Sequence, residues 1–221
     1  MIWDVNLGGI DLSVLLMTVA VLFFSLSIHE SAHAWTADWL GDPTGRFLGR
    51  VTLNPIAHID LMGTIVFPLM GILYGGVIFG WAKPVPVNTS RLKNPRKDHL
   101  LIAAAGPASN IAAAIVFGVG VKIITGSIDL MAIREHGVVY PMFWMFQTGL
   151  FLNVILAVFN LLPIPPLDGS WILAGLLPGN LAAAMDKIRP YSFILLIALL
   201  MSGVFGMILN PILLFLRKLA L

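Results

Sequence analysis

Residues 10–39 read IDLSVLLMTVAVLFFSLSIHESAHAWTADW. The run is longer than the roughly 20 residues that span hydrocarbon, and it holds no Gly or Pro to break a helix. Near its far end stand His29, Glu30 and His33, an H-E-x-x-H pattern. On a helix, positions i and i+4 share a face, so both imidazoles can reach one metal ion. Glu30 beside them can take a proton from a water that the ion activates. Ionisable side chains inside a membrane segment are costly and mark function. The plainer reading, a buried polar pair linking two helices, leaves Glu30 without a purpose.

The rest of the chain has the same character. Of its 221 residues 58% are hydrophobic and 11% charged, and the mean hydropathy is +0.94. That composition excludes an ordinary soluble domain. Cysteine is absent, which rules out disulfides, thiolate ligands and a thiol nucleophile. The net charge of +2 is weak, and the basic residues are expected to mark a membrane face rather than a nucleic-acid site. No Lys or Arg precedes Arg46, so the first apolar run is expected to be retained rather than removed as a signal peptide.

Five apolar segments follow from this pattern: helix A at 10–39, segment B at 61–81, helix C at 99–124, helix D at 138–162 and helix E at 191–216. Residues 82–98 differ. Val85 and Val87 alternate with prolines before a basic run, which predicts an extended edge strand or short β-hairpin followed by a solvated loop. The expected fold is an all-α polytopic membrane protein. It forms one membrane-embedded domain over 1–221, with about four transmembrane helices, a re-entrant or interfacial segment B and the short strand.

A zinc site of this kind needs a third protein ligand and one open position. The candidate is Asp168, in Asn160-Leu-Leu-Pro-Ile-Pro-Pro-Leu-Asp168-Gly169. Pro163, Pro165 and Pro166 end helix D and hold the next residues extended, which can aim Asp168 back at helix A. A turn residue before Gly169 is the plainer role for Asp168.

These motifs together resemble the site-2 protease family of intramembrane zinc metalloproteases. The shared features are His-Glu-x-x-His on a membrane helix, Asn160 and Leu167-Asp168-Gly169 downstream, and Gly106-Pro107-Ala108-Ser109-Asn110, which is similar to a Gly-Pro-x-x-Asn signature. Gly80 to Asn88 looks like the hairpin region of the family's compact members, those without PDZ or CBS domains. The resemblance implies that His29, His33 and Asp168 bind one catalytic Zn2+, that Glu30 is the general base, and that Asn160 holds the substrate backbone or the developing oxyanion. Val85, Val87, Asn88, Gly106 and Asn110 are candidate substrate contacts, although packing and polar glue between helices is the stronger reading of Gly106 and Asn110. The implied reaction is hydrolysis of peptide bonds within or near transmembrane segments, with single-span membrane proteins as substrates, the lipid bilayer as surroundings and no nucleic acid. The alternative is a metal transporter or other non-proteolytic metal-binding membrane protein, which would use the same ligands without Glu30 as a base.

Topology follows from parity. His29 lies near the exit of helix A and Asp168 just beyond the exit of helix D, so A and D must run in the same direction. Segment B carries Pro68, Gly71, Gly75, Gly76 and Gly80 and is expected to dip in and return, while C crosses. Arg46, Arg50, Lys83, Arg91, Lys93, Arg96, Lys97, Lys187 and Arg189 then lie on the active-site side, against Lys122, Arg134, Arg217 and Lys218 on the other. The bias puts the active site toward the cytoplasm and the N-terminus outside the cell membrane. His58 is expected in a capped loop with Asn54, or at the entrance of the metal pocket, and His99 at the start of helix C.

Overall fold

The computed structural model describes residues 12–66, 80–128, 132 and 137–220. The helices are α1 (Leu12–Trp39), α2 (Thr44–Phe47), α3 (Pro95–Ser127), α4 (Val139–Asn160), α5 (Asp168–Leu176), α6 (Gly179–Ile188), α7 (Ser192–Met201) and α8 (Val204–Ala220). Three are long and apolar enough to cross a bilayer: Ser13–Trp39, Pro95–Ser127 and Val139–Asn160. A fourth candidate span is the pair Gly179–Met201 and Val204–Leu219, bent by 58°. Large apolar side chains such as Leu16, Ile115, Val116 and Ile194 stay exposed along these helices. In water such surface would drive aggregation, whereas in lipid it is the stable state.

Helix E is not the single rod expected over 191–216. Gly203 has φ +75°, a left-handed residue that closes α7 and redirects the chain into α8. The α7 residue Leu196 packs with Leu162 and Leu167, while Leu216 near the end of α8 packs against Ala114, Val121 and Leu150. The bent pair therefore runs from the Asp168 end of the bundle to the opposite end.

The directions of the three long helices follow from their contacts. His33 meets Ile102 and His29 meets Asn110, so α1 and α3 are antiparallel. Asn110 meets Asn153 and Phe117 meets Phe146, so α3 and α4 are antiparallel too. Helices α1 and α4 consequently run the same way, and their exit ends share one side.

Most of segment B, residues 67–79, lies outside the described residues. Its two flanks meet: the Trp81 N–H donates to the Gly63 carbonyl at 3.1 Å, and Thr64 Oγ1 donates to the Trp81 carbonyl at 2.9 Å.

The expected β-hairpin or edge strand at 82–98 is not formed, and no strand occurs among the described residues. Residues 80–88 run without regular structure. Pro84 and Pro86 supply no N–H, and no second strand lies alongside to make a ladder. The donors of this stretch go elsewhere: Lys83 N–H to the His58 carbonyl at 2.9 Å, Val85 N–H to Glu30 Oε2 at 3.2 Å, and Asn88 N–H to Oδ2 of the buried Asp42 at 2.6 Å. Arg50, also buried, reaches the carbonyls of Ala57 and Lys83. These bonds lay the segment across the exit end of α1.

Candidate active site

His29 and His33 sit one turn apart on α1, both buried. Gly106 lets α3 come close enough to cover them. A Cβ there would stand 2.3 Å from His33 Nε2 and 2.6 Å from His29 Cε1, so only glycine leaves the imidazoles their places. The following Pro107 is also buried in α3.

The third side chain arrives from the turn after α4. Ile164 and Leu167 N–H groups bond back to the Leu162 and Ile164 carbonyls, and Asp168 is the first residue of α5. Gly169 is required beneath it, since a Cβ would lie 2.2 Å from the Leu161 carbonyl oxygen. The helix can thus start directly against the end of α4. Asp168 Oδ2 reaches His29 Nε2 at 3.1 Å and His33 Nε2 at 3.3 Å, and the two Nε2 atoms are 3.1 Å apart.

The other ring nitrogens decide what that triangle is. His29 Nδ1 faces Asn110 Oδ1 at 2.6 Å, and His33 Nδ1 faces the Ile102 carbonyl at 2.7 Å. Both partners are acceptors, so both Nδ1 atoms carry the proton and both Nε2 lone pairs point inward. Asp168 Oδ2 is buried with no hydrogen-bond partner. Three electron-rich atoms converging without a donor repel one another unless a cation sits among them. Zinc with ligands at about 2.0–2.1 Å in a tetrahedral shell sets its ligand atoms about 3.3 Å apart, close to the separations observed. These three residues are positioned to bind a metal ion. Burial alone would favour a neutral Asp168, and a divalent ion among the three atoms would instead hold its carboxyl ionised.

The triangle opens on a cavity of about 510 Å³, whose lining includes Glu30, Val85, Val87, His99, Asn160 and Trp171. Glu30 is thus in the cavity but outside the ligand group, held at one oxygen by Val85 N–H. Asn160 spends one amide hydrogen on the Leu156 carbonyl at 3.0 Å. His99 stacks on Trp171 with centroids 4.2 Å apart.

Three expected contacts sit elsewhere. Asn110 is fully buried behind His29 and supports the ligand. Gly106 packs on the imidazoles, and Asn88 caps the turn Thr89–Arg91 through Ser90 N–H. His58 is buried against Thr52 and Ser31, with Nε2 2.9 Å from the Thr52 carbonyl. The residues that the sequence reading missed are Asn153 and Ser25, both fully buried and bonded to Asn110 or to each other. Asn153 alone carried a signal, because an Asn inside an apolar helix needs a polar partner; which partner it takes is set by the packed helices.

Comparisons with known proteins agree with this geometry. The profile of Peptidase family M50 matches residues 17–128 and 119–203. Two similar proteins are both named "Putative zinc metalloprotease". YwhC of Bacillus subtilis (strain 168) is 37% identical over 210 residues, which is 91% of this chain and 88% of that protein. Rip2 of Mycolicibacterium smegmatis is 30% identical over 190 residues, 86% of this chain and 68% of that protein. No solved structure matches. With a family profile covering most of its length and a metal-binding triangle of the right ligand types, this chain belongs to peptidase family M50, the site-2 protease family of zinc metalloproteases.

Proposed function

We propose that this integral membrane metalloprotease is an intramembrane endopeptidase that cuts single-span membrane proteins within or near their transmembrane segments. The observation that carries the reading is the meeting of His29, His33 and Asp168 in a cavity shared with Glu30, inside a bundle of apolar helices. From Ser13 to His29 the helix rises roughly 24 Å at about 1.5 Å per residue, which supports a site below the exit-side surface of the bilayer. The basic residues on that side support a cytoplasmic opening and an N-terminus outside. The meeting of Gly63 and Trp81 brings the two described ends of segment B to one place in the bundle.

His29, His33 and Asp168 would hold the zinc. Bound there, the ion supplies a Lewis acid that brings the pKa of water to about 7 and polarises a carbonyl. Glu30 takes the proton of the attacking water and passes it to the leaving amine. The Val85 N–H keeps one Glu30 oxygen occupied and leaves the other for that work. Asn160 has a second amide hydrogen, free to donate to the developing oxyanion. A substrate helix hides its carbonyls in its own hydrogen bonds, so it must unwind locally. Val85 and Val87 line the cavity and would receive the unwound strand. Transport would call for further ligand groups along a path, and the described residues hold one such group.

The test is cleavage of a single-span substrate by purified wild-type and Glu30→Gln protein, with zinc content measured on both. Cleavage by wild type alone, at equal zinc content, supports the reading. Equal cleavage by both would reject Glu30 as the base, and wild-type protein that holds zinc but cuts no membrane substrate would reject the intramembrane reading.

A further inference from the structure

The two histidines are held from behind by unlike means. His33 Nδ1 faces a backbone carbonyl, that of Ile102, which cannot turn round. His29 Nδ1 faces a side-chain amide, that of Asn110, which can. An Asn110 turned by half a rotation would present Nδ2 to His29 Nδ1. The ring proton would then move to Nε2 and block the atom that should ligate.

The structure removes that freedom through a third helix. Asn153 on α4 spends both hydrogens of Nδ2, one on the Gly149 carbonyl and one on Ser25 Oγ, each at 2.8 Å. Ser25 Oγ in turn donates to the Val21 carbonyl at 2.8 Å, so toward Asn153 it offers a lone pair. Asn153 Oδ1 must therefore face Asn110, whose Nδ2 donates to it at 2.8 Å. The same Nδ2 points toward the Ser25 carbonyl at 3.3 Å. With its amide nitrogen engaged on that side, Asn110 must turn Oδ1 to His29. Ser25, Asn110 and Asn153 are all fully buried, so no water competes.

We propose that Asn153, with Ser25 behind it, is a positioning residue for the metal centre: it fixes the amide of Asn110 and so keeps His29 in the tautomer whose Nε2 can bind zinc. It touches neither metal nor substrate. The inference rests on the metal-centre reading of His29, His33 and Asp168. Groups that orient a metal-bound histidine are worth about 10–100-fold in metal affinity. Asn153 acts one bond further back, through a partner that keeps its Ser25 contact, so the lower end applies.

The experiment uses the full chain in detergent, with zinc affinity measured by competition against a chromophoric chelator. Nitrogen NMR of histidine-labelled protein without metal reads the His29 tautomer. Asn153→Leu, or Asn153→Ala if Leu packs badly, is expected to weaken zinc by about tenfold and to populate the Nε2–H form of His29. Asn153→Asp keeps an oxygen to accept from Asn110 Nδ2, and is expected to restore both readouts. In an Asn110→Asp background either oxygen can accept from His29, so adding Asn153→Leu should cost nothing further. The proposal is overturned if folded Asn153→Leu and Asn153→Ala bind zinc as wild type does with His29 wholly Nδ1–H, or if Asn153→Asp is as weak as Asn153→Leu, since the amide donors rather than the acceptor would then matter. Wild-type protein that binds no zinc overturns the metal-centre reading itself, a result separate from these.

Discussion

Replacing Gly106 with Ala adds one methyl group where two ligand rings already sit. The added carbon would stand 2.3 Å from His33 Nε2 and 2.6 Å from His29 Cε1, whereas comfortable contact begins at about 3.5 Å. Something must move by roughly 1 Å, and a zinc site tolerates only about 0.2 Å in its ligand distances. Overpacking of this kind costs about 1–3 kcal/mol. Taken up wholly at the ligands, that is about a 5- to 140-fold loss of zinc affinity, at about 1.4 kcal/mol per tenfold. The control lies on the same helix. A Cβ at Gly118 would meet Leu150 Cδ1 at 3.5 Å, an ordinary contact, so Gly118→Ala should leave zinc binding unchanged. Chelator competition on both purified variants, with helicity followed by circular dichroism, gives the answer. Gly106→Ala protein that keeps wild-type zinc affinity would show that α3 does not press on the imidazoles.

Glu30→Gln should keep its zinc and lose about 10²–10⁴ in cleavage rate, measured on a single-span substrate alongside metal analysis. Removing zinc with a strong chelator should abolish cleavage, and adding zinc back, but not calcium, should restore it, since the ligand set suits zinc and calcium prefers an all-oxygen shell. Asp42→Ala strips acceptors from Thr44 and Asn88 N–H. It should cost about 1–3 kcal/mol, read as a lower melting temperature in detergent and as faster proteolysis near residues 80–88.

The parts of this fold that can be read from residue order are those that lipid and metal chemistry dictate locally. A 30-residue apolar run with two imidazoles one turn apart already contains α1 and two ligands. The proline cluster after Asn160 with Gly169 beyond it was enough to single out Asp168, because a chain that can neither continue as a helix nor carry a side chain at 169 has few ways to turn. The short helices α5 and α6 escaped notice because they lie between apolar runs without a membrane-length pattern. The break in helix E turns on Gly203 alone, and a glycine in an apolar run is as compatible with close packing as with a left-handed stop. The strand at 82–88 failed for a tertiary reason: alternation and prolines favour an extended backbone, but a strand needs a neighbour. Here the neighbours are Glu30, Asp42 and the His58 carbonyl. The layer of amides behind His29 needs long-range knowledge too, since residues 25, 110 and 153 meet only once three helices are packed.

X-ray absorption at the zinc edge, recorded on wild-type protein and on Asp168→Ala, His29→Ala and His33→Ala, reads the ligand triangle itself. One zinc per chain is expected, with two imidazole nitrogens and oxygen ligands at about 2.0–2.2 Å, and a changed spectrum or lost metal in each variant. A wild-type spectrum lacking imidazole scattering, or zinc bound unchanged in the variants, would contradict it.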